Sequence, residues 1–174
     1  MADILRKVGA SEENLPGLLA DLQEWYNGYM FHEEAPERLY NPDMIMYFAS
    51  NYEKNRSYPR KMLDANIATD YTKVKKVFNI QQREDEFLPV LKELTSEGVL
   101  SAPITDLFNP EKAFSDEDLV NLLFYMGRTT MEGFGEGLYR FRIPNRVIRE
   151  LYYDYFVDIV EREAGLNRKV SSIT

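Results

Sequence analysis

Residues 115–163 read SDEDLVNLLFYMGRTTMEGFGEGLYRFRIPNRVIRELYYDYFVDIVERE. Ser115-Asp116-Glu117-Asp118 opens a helix in capping-box style. The serine hydroxyl is placed to accept an orphan backbone N–H, and the acids face the positive end of the helix dipole. This helix should bury Leu119, Leu122, Leu123 and Met126. From Arg128 to Ile143 the apolar period shortens to about two residues, which argues for strand. Leu138, Arg140 and Arg142 then oppose Tyr139, Phe141 and Ile143, and Gly133-Phe134-Gly135-Glu136-Gly137 forms the turn. Pro144-Asn145 ends the strand and caps a closing helix. One face of that helix carries Val147, Ile148, Leu151, Tyr155, Phe156, Ile159 and Val160. Such a hairpin is not stable alone, so the rest of the chain must complete its core.

Moving outward, Val99 to Ile104 reads as a strand placed to pair with the hairpin. Before it, Glu84, Asp85 and Glu86 open a helix whose stripe is Phe87, Leu88, Val90, Leu91 and Leu94, closed by Gly98. Lys61 to Ala68 and Tyr71 to Ile80 read as two shorter helices. Asn41-Pro42-Asp43 starts another, with Met44, Ile45, Tyr47 and Phe48 buried and a polar break from Tyr52 to Arg60. Met30 to Tyr40 is an irregular, hairpin-like connection. Ser11 is placed to cap a helix carrying Leu15, Leu18, Leu19, Leu22 and Trp25, with Trp25 as its core anchor and Asn27 or Gly28 as its left-handed end. Ala2 to Val8 makes one or two further turns, stopped by Gly9. The expectation is a mainly α chain. A helical segment, 1–96, precedes a strand, helix, hairpin and helix over 97–174, the layout of a winged-helix-like module with a small antiparallel sheet. The two could also form one continuous domain.

The 174 residues are 44% hydrophobic and 13% aromatic, enough for a packed core. A net charge of -8 argues against coating nucleic acid through the whole surface, because that requires cations to displace counterions. The chain has no cysteine, and Met1 to Lys7 lacks the apolar core of a secretion signal. No run of about 18 apolar residues occurs. A cytoplasmic protein without membrane contact is expected.

Catalytic motifs are conspicuously missing. A P-loop needs Gly-Lys-[Ser/Thr], and no Gly-Lys pair exists. The single histidine, His32, cannot complete a zincin. None of the nine lysines sits in an Asp/Glu-x-Lys nuclease pattern. Gly133, Gly135 and Gly137 precede a strand, whereas a dinucleotide fingerprint opens a helix. Gly-x-Ser-x-Gly is absent, and the acidic clusters at 84–86 and 116–118 fit helix starts. No catalytic or metal-binding residue is assigned, and a hydrolase acting through its carboxylates is the least favoured reading.

One positive feature remains. Arg128, Arg140, Arg142, Arg146 and Arg149 concentrate five guanidinium groups in a stretch whose only acids are Glu132 and Glu136. They would either contact a phosphate backbone or an acidic protein face, or pair with acids elsewhere in the fold.

Trp25-Tyr26-Asn27-Gly28-Tyr29, Phe31, Leu39-Tyr40-Asn41-Pro42, Leu122-Leu123-Phe124-Tyr125-Met126-Gly127 and the run from Tyr139 to Arg149 occur in that order. Together they resemble the bacterial AAA-ATPase-like family, many members of which continue into a PD-(D/E)XK nuclease-like domain. The resemblance spans about residues 15 to 156. It implies that this chain is similar to the region behind the nucleotide-binding core, a helical lid-like segment followed by a winged-helix-like segment. ATP and Mg2+ would then be bound only by an upstream core, with a nuclease-like domain as a possible downstream neighbour. A lid places a cation near the γ-phosphate, and Arg38, Arg56 and Arg60 are the candidates. Where the family carries Gly-Tyr-Leu-Thr, this chain has Gly127-Arg128-Thr129-Thr130, exchanging two buried side chains for polar ones. The family's phosphate-, magnesium- and nuclease-type motifs have no counterpart, so the expected role is regulation and contact with a partner or nucleic acid. The alternative is a free-standing DNA-binding module using the five arginines.

Overall fold

The capping box at Ser115 forms: its hydroxyl accepts from the Asp118 amide at 3.3 Å, and the Asp118 carboxylate accepts from the Ser115 amide at 2.8 Å. The computed structural model describes residues 1–64, 84–105 and 115–163. Its elements are α1 (Ala2–Lys7), α2 (Leu15–Tyr26), α3 (Pro42–Asn55), α4 (Glu84–Ser96), β1 (Val99–Ala102), α5 (Asp116–Tyr125), β2 (Thr130–Gly135), β3 (Leu138–Arg142) and α6 (Arg146–Glu163). Among the described residues the architecture is helix-dominated α/β, with one small antiparallel sheet.

The sheet has the order β1-β3-β2, so the expected strand at residue 99 does join the hairpin. Leu100 and Met131 flank Phe141, and all three are buried. The turn is shorter than the glycine pattern suggested. Glu136 and Gly137 alone connect the strands, at φ of 55° and 82°, the left-handed pair of a type I′ turn. Gly133 and Gly135 lie within β2, and Glu132 is the extra residue of a bulge between Met131 and Gly133.

Thr130 pairs with Arg142 despite the polar Arg128-Thr129-Thr130 sequence. Its hydroxyl lies 2.6 Å from the Met30 amide and 3.0 Å from the Met30 carbonyl, and the Met131 amide donates to that same carbonyl at 3.0 Å. The loop after α2 therefore fastens onto β2. That loop is the expected hairpin-like connection, closed by a bridge between Tyr29 and Leu39.

Several boundaries differ from the sequence reading. Ser11 accepts from the Asn14 amide and caps a turn, leaving Glu12 and Glu13 ahead of α2, and Pro16 falls in the first turn. Asn27 is extended rather than left-handed, and Gly28 takes φ of 114°. Helix α3 continues to Asn55 because Tyr52 stacks on Phe48, with centroids 5.8 Å apart. Residues 61–64, expected to begin a helix, are irregular. The Lys61 and Met62 carbonyls are instead held by the hydroxyls of Tyr47 and Tyr26, at 3.0 and 2.7 Å. The rest of that expected helix and the Tyr71 to Ile80 helix lie outside the described residues. Asn145 caps α6 as expected, accepting from the Ile148 amide at 3.2 Å.

One buried cluster joins α1, α2, α3, α4, the sheet, α5 and α6. Trp25, expected as an anchor, is only partly buried, while Tyr26 beside it is fully enclosed.

Candidate functional site

Alternation along β3 sends Tyr139 and Phe141 toward the helices and Arg140 and Arg142 to the other face. Asn145 then starts α6, which sets Arg146 and Arg149 on an outer face while Val147 and Ile148 enter the core. Arg142, Ile143 and Arg149 are shared by two adjoining depressions of about 480 and 460 Å³, which makes them one groove. The first is walled by the end of α4 and Glu132, the second by Glu24, Asn145, Arg146 and Glu150.

The groove carries both charges. Arg142 Nη1 lies 3.8 Å from Glu132, and its Nε is buried without a hydrogen-bond partner. Arg146 bonds Glu24 at 2.9 Å and Glu150 at 3.3 Å, and its guanidinium lies 4.2 Å over the Trp25 ring. Those contacts explain why Trp25 stays near the surface: it is the platform of a cation–π pair. Arg149 is exposed and takes part in no salt bridge among the described residues.

Arg38, from the loop after α2, reaches the same region. Its Nη1 donates to the Gly28 carbonyl at 2.9 Å. Burial and then the charge of Arg142 lower its pKa, with Glu132 opposing. Two arginines expected in separate roles, Arg38 and Arg142, thus lie near enough for the charge of one to act on the other, and Arg142 is the one paired with Glu132.

The remaining candidates separate. Arg56 is the left-handed C-cap of α3 and donates to the Val8 carbonyl. Arg60 is exposed apart from the groove lining. Arg140 is exposed further along the hairpin, outside both depressions. Arg128 is a correction to the surface-contact reading: it is 5% exposed, and its carbonyl accepts from the Tyr152 hydroxyl at 3.2 Å. A buried arginine cannot meet a partner's phosphate. Of the partners sequence reasoning missed, only Glu150 was signalled, by its i,i+4 spacing from Arg146.

His32 Nδ1 accepts from the Glu34 amide at 3.1 Å, a loop-shaping role. Among the described residues no cluster of three or more His, Asp or Glu side chains is arranged to hold a metal ion, and no helix is long and apolar enough to cross a membrane.

Compared with known proteins, the chain matches no family model, no curated protein and no solved structure.

Proposed function

We propose that this chain is a non-catalytic regulatory and interaction region of an AAA-ATPase-like protein, a helical lid-like part followed by a winged-helix-like part. The sequence resemblance supports the family, and the strand-helix-hairpin-helix order supports the winged-helix-like reading. The observation that carries an interaction role is the groove in which Arg142 pairs with Glu132 yet keeps its Nε without a hydrogen-bond partner, beside an exposed Arg149 that forms no salt bridge among the described residues. Unmatched donors of this kind suit a carboxylate on a partner protein, through bidentate charge-assisted bonds.

Nucleotide contact through the lid is less well served. Arg38 and Arg56 already donate to backbone carbonyls, whereas Arg60 is exposed and forms no salt bridge among the described residues. ATP and Mg2+ belong to the core in front of this region. Adding the chain to a purified AAA-type core should change its rate of ATP hydrolysis, and Arg142→Glu with Arg149→Glu should abolish the change. An unaltered rate with the unmodified chain would overturn the proposal.

DNA binding is the second reading, and Arg140 with the groove arginines favours it. Glu24, Glu97, Glu132 and Glu150 line the same groove, and their repulsion weighs more against a run of phosphates than against a single partner carboxylate. Duplex titration at two salt concentrations tests it, since phosphate contact requires affinity to fall steeply with salt.

A further inference from the structure

We infer that the loop carrying Phe31 is a docking site for a basic protein segment, separate from the arginine groove. Phe31 is 53% exposed, yet its ring is fixed from two sides. It stacks on Tyr29, centroids 5.9 Å apart and planes 18° apart, and meets Phe124 at 5.9 Å with a 50° tilt. The base of the loop is equally fixed. Tyr29 and Leu39 exchange backbone hydrogen bonds of 3.1 and 2.7 Å, and Met30 is tied to β2 through Thr130 and Met131. Leu39, opposite Tyr29, is exposed as well. A ring already held in one orientation loses little freedom when a partner arrives, which favours binding.

The charge around the ring selects the partner. The Ala35 amide donates to the His32 carbonyl at 3.1 Å, closing a turn that presents Glu33 and Glu34. Glu33, Glu34 and Glu37 are exposed, and none takes part in a salt bridge among the described residues. An aromatic face attracts a lysine or arginine head group through its quadrupole. Three carboxylates beside it, in no salt bridge among the described residues, add to that attraction and repel nucleic acid or an anionic membrane. An aliphatic side chain of the same segment would cover Leu39.

The test is a fluorescence-anisotropy titration of the full chain with a labelled lysine-rich peptide carrying a central pair of leucines. A peptide with glutamate in place of lysine serves as control. The lysine peptide should bind, more weakly at high salt, and the glutamate peptide should not. Phe31→Ala should weaken binding about tenfold, as expected for an aromatic anchor. The combined Glu33→Gln, Glu34→Gln and Glu37→Gln variant should weaken it similarly while leaving ring packing and the circular dichroism spectrum unchanged. Equal affinity of wild type and both variants, or no binding of the lysine peptide, would overturn the proposal. So would a wild type that sediments as a dimer and becomes monomeric on Phe31→Ala, because the occupant would then be a second copy.

Discussion

Gly28 sits at φ of 114°, and a Cβ there would run into the Pro144 carbonyl oxygen. The obstacle is backbone, so it cannot rotate away. Gly28→Ala should destabilise the protein by about 2 kcal/mol or more, combining left-handed strain with the clash. Gly17, in the first turns of α2 with nothing within 4 Å of its Cβ position, is the matched control. Gly17→Ala should stabilise by up to about 1 kcal/mol. Urea midpoints of the two variants should therefore move in opposite directions. The need for a flexible residue after Trp25-Tyr26 was legible in the sequence, since a helix ends there. Its contact with Pro144 was not, because nothing local in either segment specifies the other. Trp25 and Tyr26 make the same point: helical periodicity cannot separate two neighbours on one stripe. The distant Met62 carbonyl draws the Tyr26 hydroxyl inward, and Arg146 holds Trp25 at the surface.

Among elements, the best read were those whose signals are local. Ser115, Asn41 and Asn145 each cap the helix that follows, through contacts three residues away. Ser115→Ala removes the acceptor of the Asp118 amide and should cost about 1 kcal/mol in denaturant unfolding. The hairpin was legible as a hairpin, but its turn was drawn too wide because three glycines looked alike. Only Gly137, with Glu136, adopts the left-handed geometry. A glutamate at φ of 55° is poorly suited to a type I′ turn, whereas asparagine is favoured there. Glu136→Asn should raise the melting temperature by a few degrees, equivalent to roughly 0.5–1 kcal/mol on the scale of residues placed at left-handed positions. A fall would mean that the Glu136 carboxylate contributes more than its backbone costs. The bulge at Glu132 had no signal of its own, yet its extra residue is the one that delivers a carboxylate to Arg142.

At the scale of the whole molecule, buried tyrosines tie the core to pH. Burial raises the hydroxyl pKa of Tyr26, Tyr29 and Tyr152 above the ordinary tyrosine value. In the folded state these groups stay neutral, so their contribution is intact below about pH 10, where unfolded tyrosines are neutral too. Above that the unfolded chain ionises first, and stability should fall by up to about 1.4 kcal/mol per pH unit for each such tyrosine. Denaturant midpoints should hold steady from neutrality to about pH 9 and drop beyond it. Tyr152→Phe should make that drop shallower.

The same core decides whether the chain divides near residue 96. Leu22 and Tyr26 of α2, Leu94 of α4, Leu123 of α5, Phe141 of β3 and Ile148 of α6 belong to one buried cluster. The Met30 backbone completes the bonding of β2, and Tyr29 and Phe31 stack toward Phe124. The need for a core shared with the rest of the chain was legible, but none of these contacts was, because each pairs residues far apart in sequence. A fragment of residues 97–174 would expose the inner faces of α6 and the sheet together with the edge of β2. It should therefore retain helical circular dichroism, bind a hydrophobic dye and melt without a cooperative transition. Mixing it with residues 1–96 should suppress dye binding and restore a sharp transition. If the isolated fragment unfolds as cooperatively as the full chain, the two parts are independent domains. The influence of the Arg142 charge on Arg38 would then act between domains rather than within one core.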